Sequence, residues 1–234
     1  MIDTLGTPDT TVRRNAKPQC DKGPCSGDCK RSTAESALPP PVQDDVEAQF
    51  PIKISNDFAA DILSPYRRNA VYLKSAEITQ FSEKASIVAG SEDQRLVTGR
   101  GRFTIPESCY IDDTGHFNAV EFNICYNQLA YVLFAKCIEA RLMHRLRNHD
   151  FDVMSLVEFK KRQLPAMVIV SLESRYYNLL NSMDFTAELT INKMTPVGSA
   201  WFFFTSITFA DHEGIKAKGS VVLAYSPTFA PVRH

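Results

Sequence analysis

The sequence predicts an α+β fold in which an antiparallel sheet curls around one long buried helix, and three observations carry that expectation. The stretch from Asn118 to Leu142 contains neither proline nor glycine and spaces its apolar side chains at the helical period. Those side chains fall on two stripes rather than one, so the helix needs cover on several sides. Strand-like alternation occurs twice before this stretch and four times after it. Strands, then a helix, then a run of strands is an α+β order, and the helix is buried only if the sheet wraps it.

Residues 1–50 are rich in Thr, Ser, Asp, Lys and Pro and carry almost no periodic apolar positions. Such a segment cannot bury enough surface to order itself. It ends near Leu38-Pro39-Pro40-Pro41-Val42, which favours an extended spacer. Residues 51–234 are expected to form one domain. Within it, Asn56 to Leu63 reads as a short helix capped by Ser55 or Asn56 and stopped near Pro65. Ala70 to Ala89 and Leu96 to Ile105 read as two strands joined through Gly90 to Gln94.

The long helix follows. One stripe runs through Phe117, Val120, Ile124, Tyr131, Ala135, Ile138 and Leu142, and the other through Phe122, Tyr126, Leu129, Leu133 and Cys137. About seven turns are implied. A short amphipathic helix is expected over Phe151 to Arg162, then strands over Met167 to Tyr176, Phe185 to Lys193, Ser199 to Phe209 and Lys216 to Tyr225. This is the hot-dog arrangement.

Composition narrows the function. The chain has 26 Lys and Arg against 27 Asp and Glu, a net charge of −1, so it offers no basic field to attract nucleic acid. No run reaches the roughly 18 apolar residues of a membrane span, and no apolar core of a signal peptide follows Met1; a cytoplasmic location is expected. Cys20, Cys25 and Cys29 are spaced C-x4-C-x3-C without a fourth Cys or His nearby, whereas structural zinc takes four ligands. No metal or other cofactor is expected. Cys109, Cys125 and Cys137 sit in apolar surroundings and read as small buried hydrophobes. The sequence lacks a G-x-S-x-G elbow, an H-E-x-x-H helix, a G-x-G-x-x-G turn and a phosphate loop.

Polar chemistry concentrates from Tyr110 to Glu121, where a loop enters the long helix. First-turn N–H groups lack intrahelical partners and carry the positive end of the macrodipole, so this end can polarise a thioester carbonyl. Gly115 would let backbone approach a ligand closely. Asn118 is either a carbonyl donor or an N-cap. Glu121, three residues on, is either a general base in an apolar setting or the second half of a capping box. Asn127 lies half a turn off Asn118 and would either meet a ligand or tie helix to strand. His116 reads as a proton shuttle, a pantetheine contact or an exposed loop residue, and Tyr110 as a donor or a loop anchor. Lys160-Lys161-Arg162 reads as a phosphate contact or a solvated face. Arg175, within a strand, is a candidate buried clamp for a carboxylate.

The run Gly115-His116-Phe117-Asn118-Ala119-Val120-Glu121, followed by Cys125-Tyr126-Asn127-Gln128-Leu129-Ala130-Tyr131, resembles the FcoT-like, or type III, fatty acyl-CoA thioesterases. Weaker similarity extends from Leu63-Ser64-Pro65-Tyr66 through Ser174-Arg175 to Tyr225. The resemblance implies a hot-dog fold, assembly from hot-dog dimers, an acyl tunnel between subunits and a site without a nucleophile triad. It puts the family's catalytic Tyr and two Asn on Tyr110, Asn118 and Asn127. Two activities are implied: hydrolysis of fatty acyl-CoA or acyl-carrier-protein thioesters, taken as the first reading, and addition of glycine to the β-carbon of a 2-enoyl-acyl-carrier-protein with release of a 3-(carboxymethylamino) fatty acid. The second would use Glu121 or His116 as base and Arg175 for the glycine carboxylate. A third possibility is an acyl-binding hot-dog module without catalysis.

Overall fold

A computed structural model of the chain describes residues 49–82, 95–112, 117–145 and 155–226. The connection Gly90 to Gln94, the cysteines of the N-terminal extension, Gly115 and His116 lie outside the described residues.

Strand β1 (Ile52–Ile54) leads into helix α1 (Asn56–Ile62), whose N-cap is Ser55, accepting a hydrogen bond from the Phe58 N–H. Strands β2 (Leu73–Phe81) and β3 (Val97–Phe103) come next, then helix α2 (Ala119–Glu139). Helix α3 (Leu156–Ala166) starts at a Ser155–Glu158 capping box. Strands β4 (Met167–Tyr176), β5 (Phe185–Val197), β6 (Ala200–Asp211) and β7 (Gly214–Tyr225) complete the order. The seven strands form one antiparallel sheet, ordered β1-β2-β3-β5-β6-β7-β4. Because β4 follows the helices yet pairs outside β7, the chain passes across the sheet between β3 and β4, and α2 is the element that makes the passage. The architecture is the hot-dog fold.

Two glycines let the sheet close on α2. A Cβ on Gly99 of β3 would stand 2.4 Å from Leu133, and one on Gly219 of β7 would stand 2.5 Å from both Phe122 and the Glu173 carbonyl oxygen. Strands on both sides of the sheet's centre therefore touch the helix through backbone. Phe122, Tyr126, Leu129, Leu133 and Cys137, the second of the two expected stripes, are fully enclosed. Burying large side chains of this kind contributes about 1.5–3 kcal/mol each before ordering costs are counted. The first stripe is covered unevenly: Phe117, Ala135, Ile138 and Leu142 are buried, whereas Val120 is 43% exposed and Ile124 and Tyr131 are only partly buried.

Three polar groups inside the core are tied to backbone. Gln128 of α2, fully enclosed, accepts at Oε1 from the N–H groups of Tyr72 (2.9 Å) and Leu73 (3.0 Å), and donates from Nε2 to the Ala70 carbonyl. This fixes the start of β2 against the middle of the helix. The Tyr126 hydroxyl donates to Thr205 Oγ1 (2.8 Å), which donates onward to the Val221 carbonyl (2.8 Å).

Candidate active site

The entrance to α2 begins after β3, with residues 104–112 forming bends and irregular backbone and Phe117 leading into the helix. Asn118 caps the helix with an extended backbone, its side-chain oxygen accepting from the Val120 N–H at 2.7 Å. Glu121 returns a carboxylate oxygen to the Asn118 N–H at 3.3 Å. The capping box that the spacing allowed is therefore present, and it occupies one first-turn N–H that a substrate carbonyl would otherwise find free.

The box does not exhaust Glu121. Its side chain is fully enclosed, accepts from Ser108 Oγ at 3.0 Å and accepts a long contact from the Tyr110 hydroxyl at 3.4 Å. Asn118 Nδ2 donates to the same Tyr110 oxygen at 2.8 Å. The result is a connected group in which Asn118 reaches Tyr110, Tyr110 reaches Glu121, and Ser108 and the Asn118 backbone hold the carboxylate from behind. Tyr110 is 46% exposed. A ligand in solution meets Tyr110 and Asn118; the carboxylate stands behind them.

Aromatic side chains close the same end. Phe117 and Phe122 stack in tilted or edge fashion with Phe209, at 4.8 and 4.9 Å between ring centroids, and Tyr176 of β4 lies 6.0 Å from Phe122 and 6.4 Å from Phe117. Burial raises the Tyr176 phenol above its ordinary range, with the negative field of Glu121 adding to the shift. Burial also raises the Cys125 thiol, one turn along from Glu121, and again the carboxylate adds to it. Cys125 and Cys137 are buried free thiols, as their apolar surroundings implied, with Cys137 pushed up to about 12 by burial; Cys109 is half-buried.

Tyr110, Asn118 and Glu121 are thus brought together, whereas Asn127 and Arg175 are not brought to them within one chain. Nine helical residues separate Asn118 from Asn127, which is ~13.5 Å of rise and a half-turn of rotation. Asn127 donates to Asn123 at 3.3 Å, on the partly exposed face with Ile124 and Tyr131. Arg175 was expected as a buried clamp; instead its side chain is 72% exposed and donates to Glu173 Oε1 at 2.8 Å. The physical reason is strand alternation. Tyr176 points to the helix side, so its neighbour Arg175 points to the other face, where it lines a shallow pocket with Glu173, Lys218, Gly219 and Ser220. Lys160 is engaged by Asp61 of α1 at 2.6 Å. Among the described residues no cluster of His, Cys, Asp or Glu could hold a metal ion, and no helix is long and apolar enough to cross a membrane.

Sequence spacing did not reveal Ser108 or Tyr72. Ser108 lies 13 residues from Glu121 across an irregular loop. Tyr72 places its hydroxyl 2.9 Å from the Cys109 N–H, which donates to it across 37 residues. The only local signal for either was a polar residue in a stretch destined for the core.

A family model described as the FcoT-like thioesterase domain matches residues 61–225. The chain belongs to the FcoT-like thioesterase family. It is 35% identical over 169 residues to a (2E)-enoyl-[ACP] glycyltransferase of Streptomyces coeruleorubidus, covering 70% of this chain and 92% of that one. A protein of the same description from Mycobacterium marinum is 34% identical over 191 residues, covering 80% of this chain and 95% of the relative. One from Mycobacterium bovis is 33% identical over 177 residues, covering 74% and 87%. This FcoT-like chain is therefore a member of an enzyme family.

Proposed function

We propose that this FcoT-like enzyme adds glycine to the β-carbon of a 2-enoyl thioester held on an acyl carrier protein, and then releases the 3-(carboxymethylamino) fatty acid by hydrolysis. Two considerations favour this over the plain hydrolysis expected first. One is the description shared by the relatives. The other, which carries the reading, is the enclosed Glu121 behind the exposed Tyr110: conjugate addition must move a proton, and the Tyr110 hydroxyl donates towards this carboxylate at 3.4 Å.

In the addition, one proton leaves the glycine ammonium and the freed nitrogen pair attacks the β-carbon. The carbon–carbon π pair shifts onto the thioester carbonyl as an enolate, and one proton arrives at the α-carbon. Nitrogen loses a proton and carbon gains one, so none is created. Tyr110 exchanges the proton with the reacting atoms and Glu121 balances it from behind, while Asn118 Nδ2 orients the phenol. In the second step water attacks the carbonyl carbon, the C–S bond breaks and the carrier thiol leaves protonated.

Asn127 and Arg175 enter through a second copy. Strand β4 is an edge with Val168, Val170 and Leu172 exposed, and the Val120–Ile124–Tyr131 face of α2 is partly open. A hot-dog dimer covers both surfaces, and these carry the two residues absent from their own chain's Tyr110 group. On this reading Asn127 orients substrate, and Arg175 exchanges Glu173 for the carboxylate of glycine.

The test is mass spectrometry of products from a 2-enoyl thioester, on carrier protein and on coenzyme A, with isotopically labelled glycine. Labelled 3-(carboxymethylamino) acid is the expected product. Free enoic acid formed regardless of glycine would leave a thioesterase, and retention of ligand without turnover would leave an acyl-binding module. Arg175→Ala is expected to remove glycine incorporation and spare hydrolysis; equal loss of both would end that role.

A further inference from the structure

We propose that Tyr72, through its buried hydroxyl, is a positioning residue for the Tyr110–Glu121 pair; the proposal rests on reading that pair as the active site. Tyr72 is 1% exposed and far too deep to meet substrate. Its function is visible in what it holds. Over its described residues the segment after β3 lies outside the strand ladder; the Ile105 N–H donates to the Ser182 carbonyl at 2.8 Å, and Tyr72 fastens the segment twice. The Tyr72 carbonyl accepts from the Thr104 N–H at 3.0 Å where the loop begins, and the Tyr72 hydroxyl accepts from the Cys109 N–H at 2.9 Å where the loop reaches the site.

Cys109 is the pivot. The residues on either side of it, Ser108 and Tyr110, both donate to the carboxylate of Glu121. A shift of the Cys109 amide moves both donors together. Tyr72 is itself immobilised, because Gln128 of α2 accepts from its N–H and from that of Leu73. A continuous path therefore runs from the middle of α2 through Gln128 and Tyr72 to the loop, and back through Ser108 and Tyr110 to the first turn of the same helix. The helix that carries Asn118 and Glu121 also sets the position of the loop that carries Tyr110. Burial raises the Tyr72 phenol beyond its ordinary range, so it remains a neutral phenol throughout the working range.

The test compares Tyr72→Phe with Tyr126→Phe. Both rings are enclosed and both hydroxyls are hydrogen-bonded, but Tyr126 binds Thr205 beneath β6, away from the loop. Two readouts are needed: amide hydrogen exchange over residues 104–112, and kcat and KM for the labelled-glycine reaction. Loss of one buried hydrogen bond predicts roughly tenfold faster exchange at the Cys109 amide and roughly tenfold lower kcat in Tyr72→Phe, with KM changed by less than about twofold. Tyr126→Phe is expected to lower thermal stability while leaving loop exchange and kcat as in the wild type. Unchanged exchange in Tyr72→Phe, or faster exchange with an unchanged kcat, would overturn the proposal, as would equal kcat losses in the two variants. If the wild type turns over no acyl thioester, the proposed function fails, and the exchange measurement still decides whether Tyr72 holds the loop.

Discussion

The two ends of α2 solve burial in opposite ways. At its start, a carboxylate with no solvent exposure is surrounded by Ser108, Tyr110 and the Asn118 N–H. At its finish, Phe134 and Ile138 join Met143, Phe159, Met167, Phe203 and Tyr225 around a wholly apolar pocket, with Phe134 and Phe203 in edge contact at 4.8 Å. Packing alone would have favoured the second solution at both ends, since a buried carboxylate costs several kcal/mol unless its partners repay it. The fold retains the costly arrangement at one end only, the end whose tyrosine faces solvent. On the proposed function, the difference separates the part of the helix assigned to chemistry from the part that holds the domain together.

Phe134→Ala at the apolar end is expected to cost about 3–5 kcal/mol of stability, read by denaturant unfolding, with kcat per folded molecule unchanged. A changed dependence of kcat/KM on acyl chain length would break the comparison by bringing the far end into the substrate's path. Glu121→Gln at the polar end reverses the balance. It keeps the shape but sets an amide donor against three donors, and removal of a proton acceptor predicts about a 100-fold loss of kcat with a smaller loss of thermal stability. A variant as active as the wild type would reduce Glu121 to its capping role.

The fold was legible where the signal was periodic. Met167 to Tyr176 was expected as a strand and is one, and the long helix appears at Ala119–Glu139 within its expected span. Boundaries moved where periodicity is indifferent to register: β5 continues past Lys193 to Val197, beyond an irregularity between Ile191 and Lys193, and pairs Pro196 with Trp201 of β6. The three-residue β1 carried too short a pattern to read. In the site, Asn118 and Glu121 could be paired because three residues on a helix share a side. Ser108, Tyr72 and Gln128 could not, because their partners lie 13, 37 and 56 residues away and only the fold brings them in. Only the burial expected of Arg175 was misjudged, for a related reason: strand alternation predicts that neighbours face apart, but not which of Arg175 and Tyr176 faces inward.

Asn118→Asp is the smallest and most discriminating change at the polar end. Aspartate caps a helix as well as asparagine does, so unfolding should change by less than about 1 kcal/mol. It cannot donate to Tyr110, and roughly tenfold of kcat should be lost with that hydrogen bond. Full activity would show that Asn118 serves the helix alone.

The central claim is that Tyr110 and Glu121 act as one proton-passing unit, and a double-mutant cycle on product formation tests it most directly. The labelled-glycine reaction would be followed in Tyr110→Phe, Glu121→Gln and the double variant. If the carboxylate works through the phenol, the double variant is no slower than the slower of the two single variants. Losses that multiply would mean two independent contributions, and the relay from Tyr110 to Glu121 would have to be abandoned.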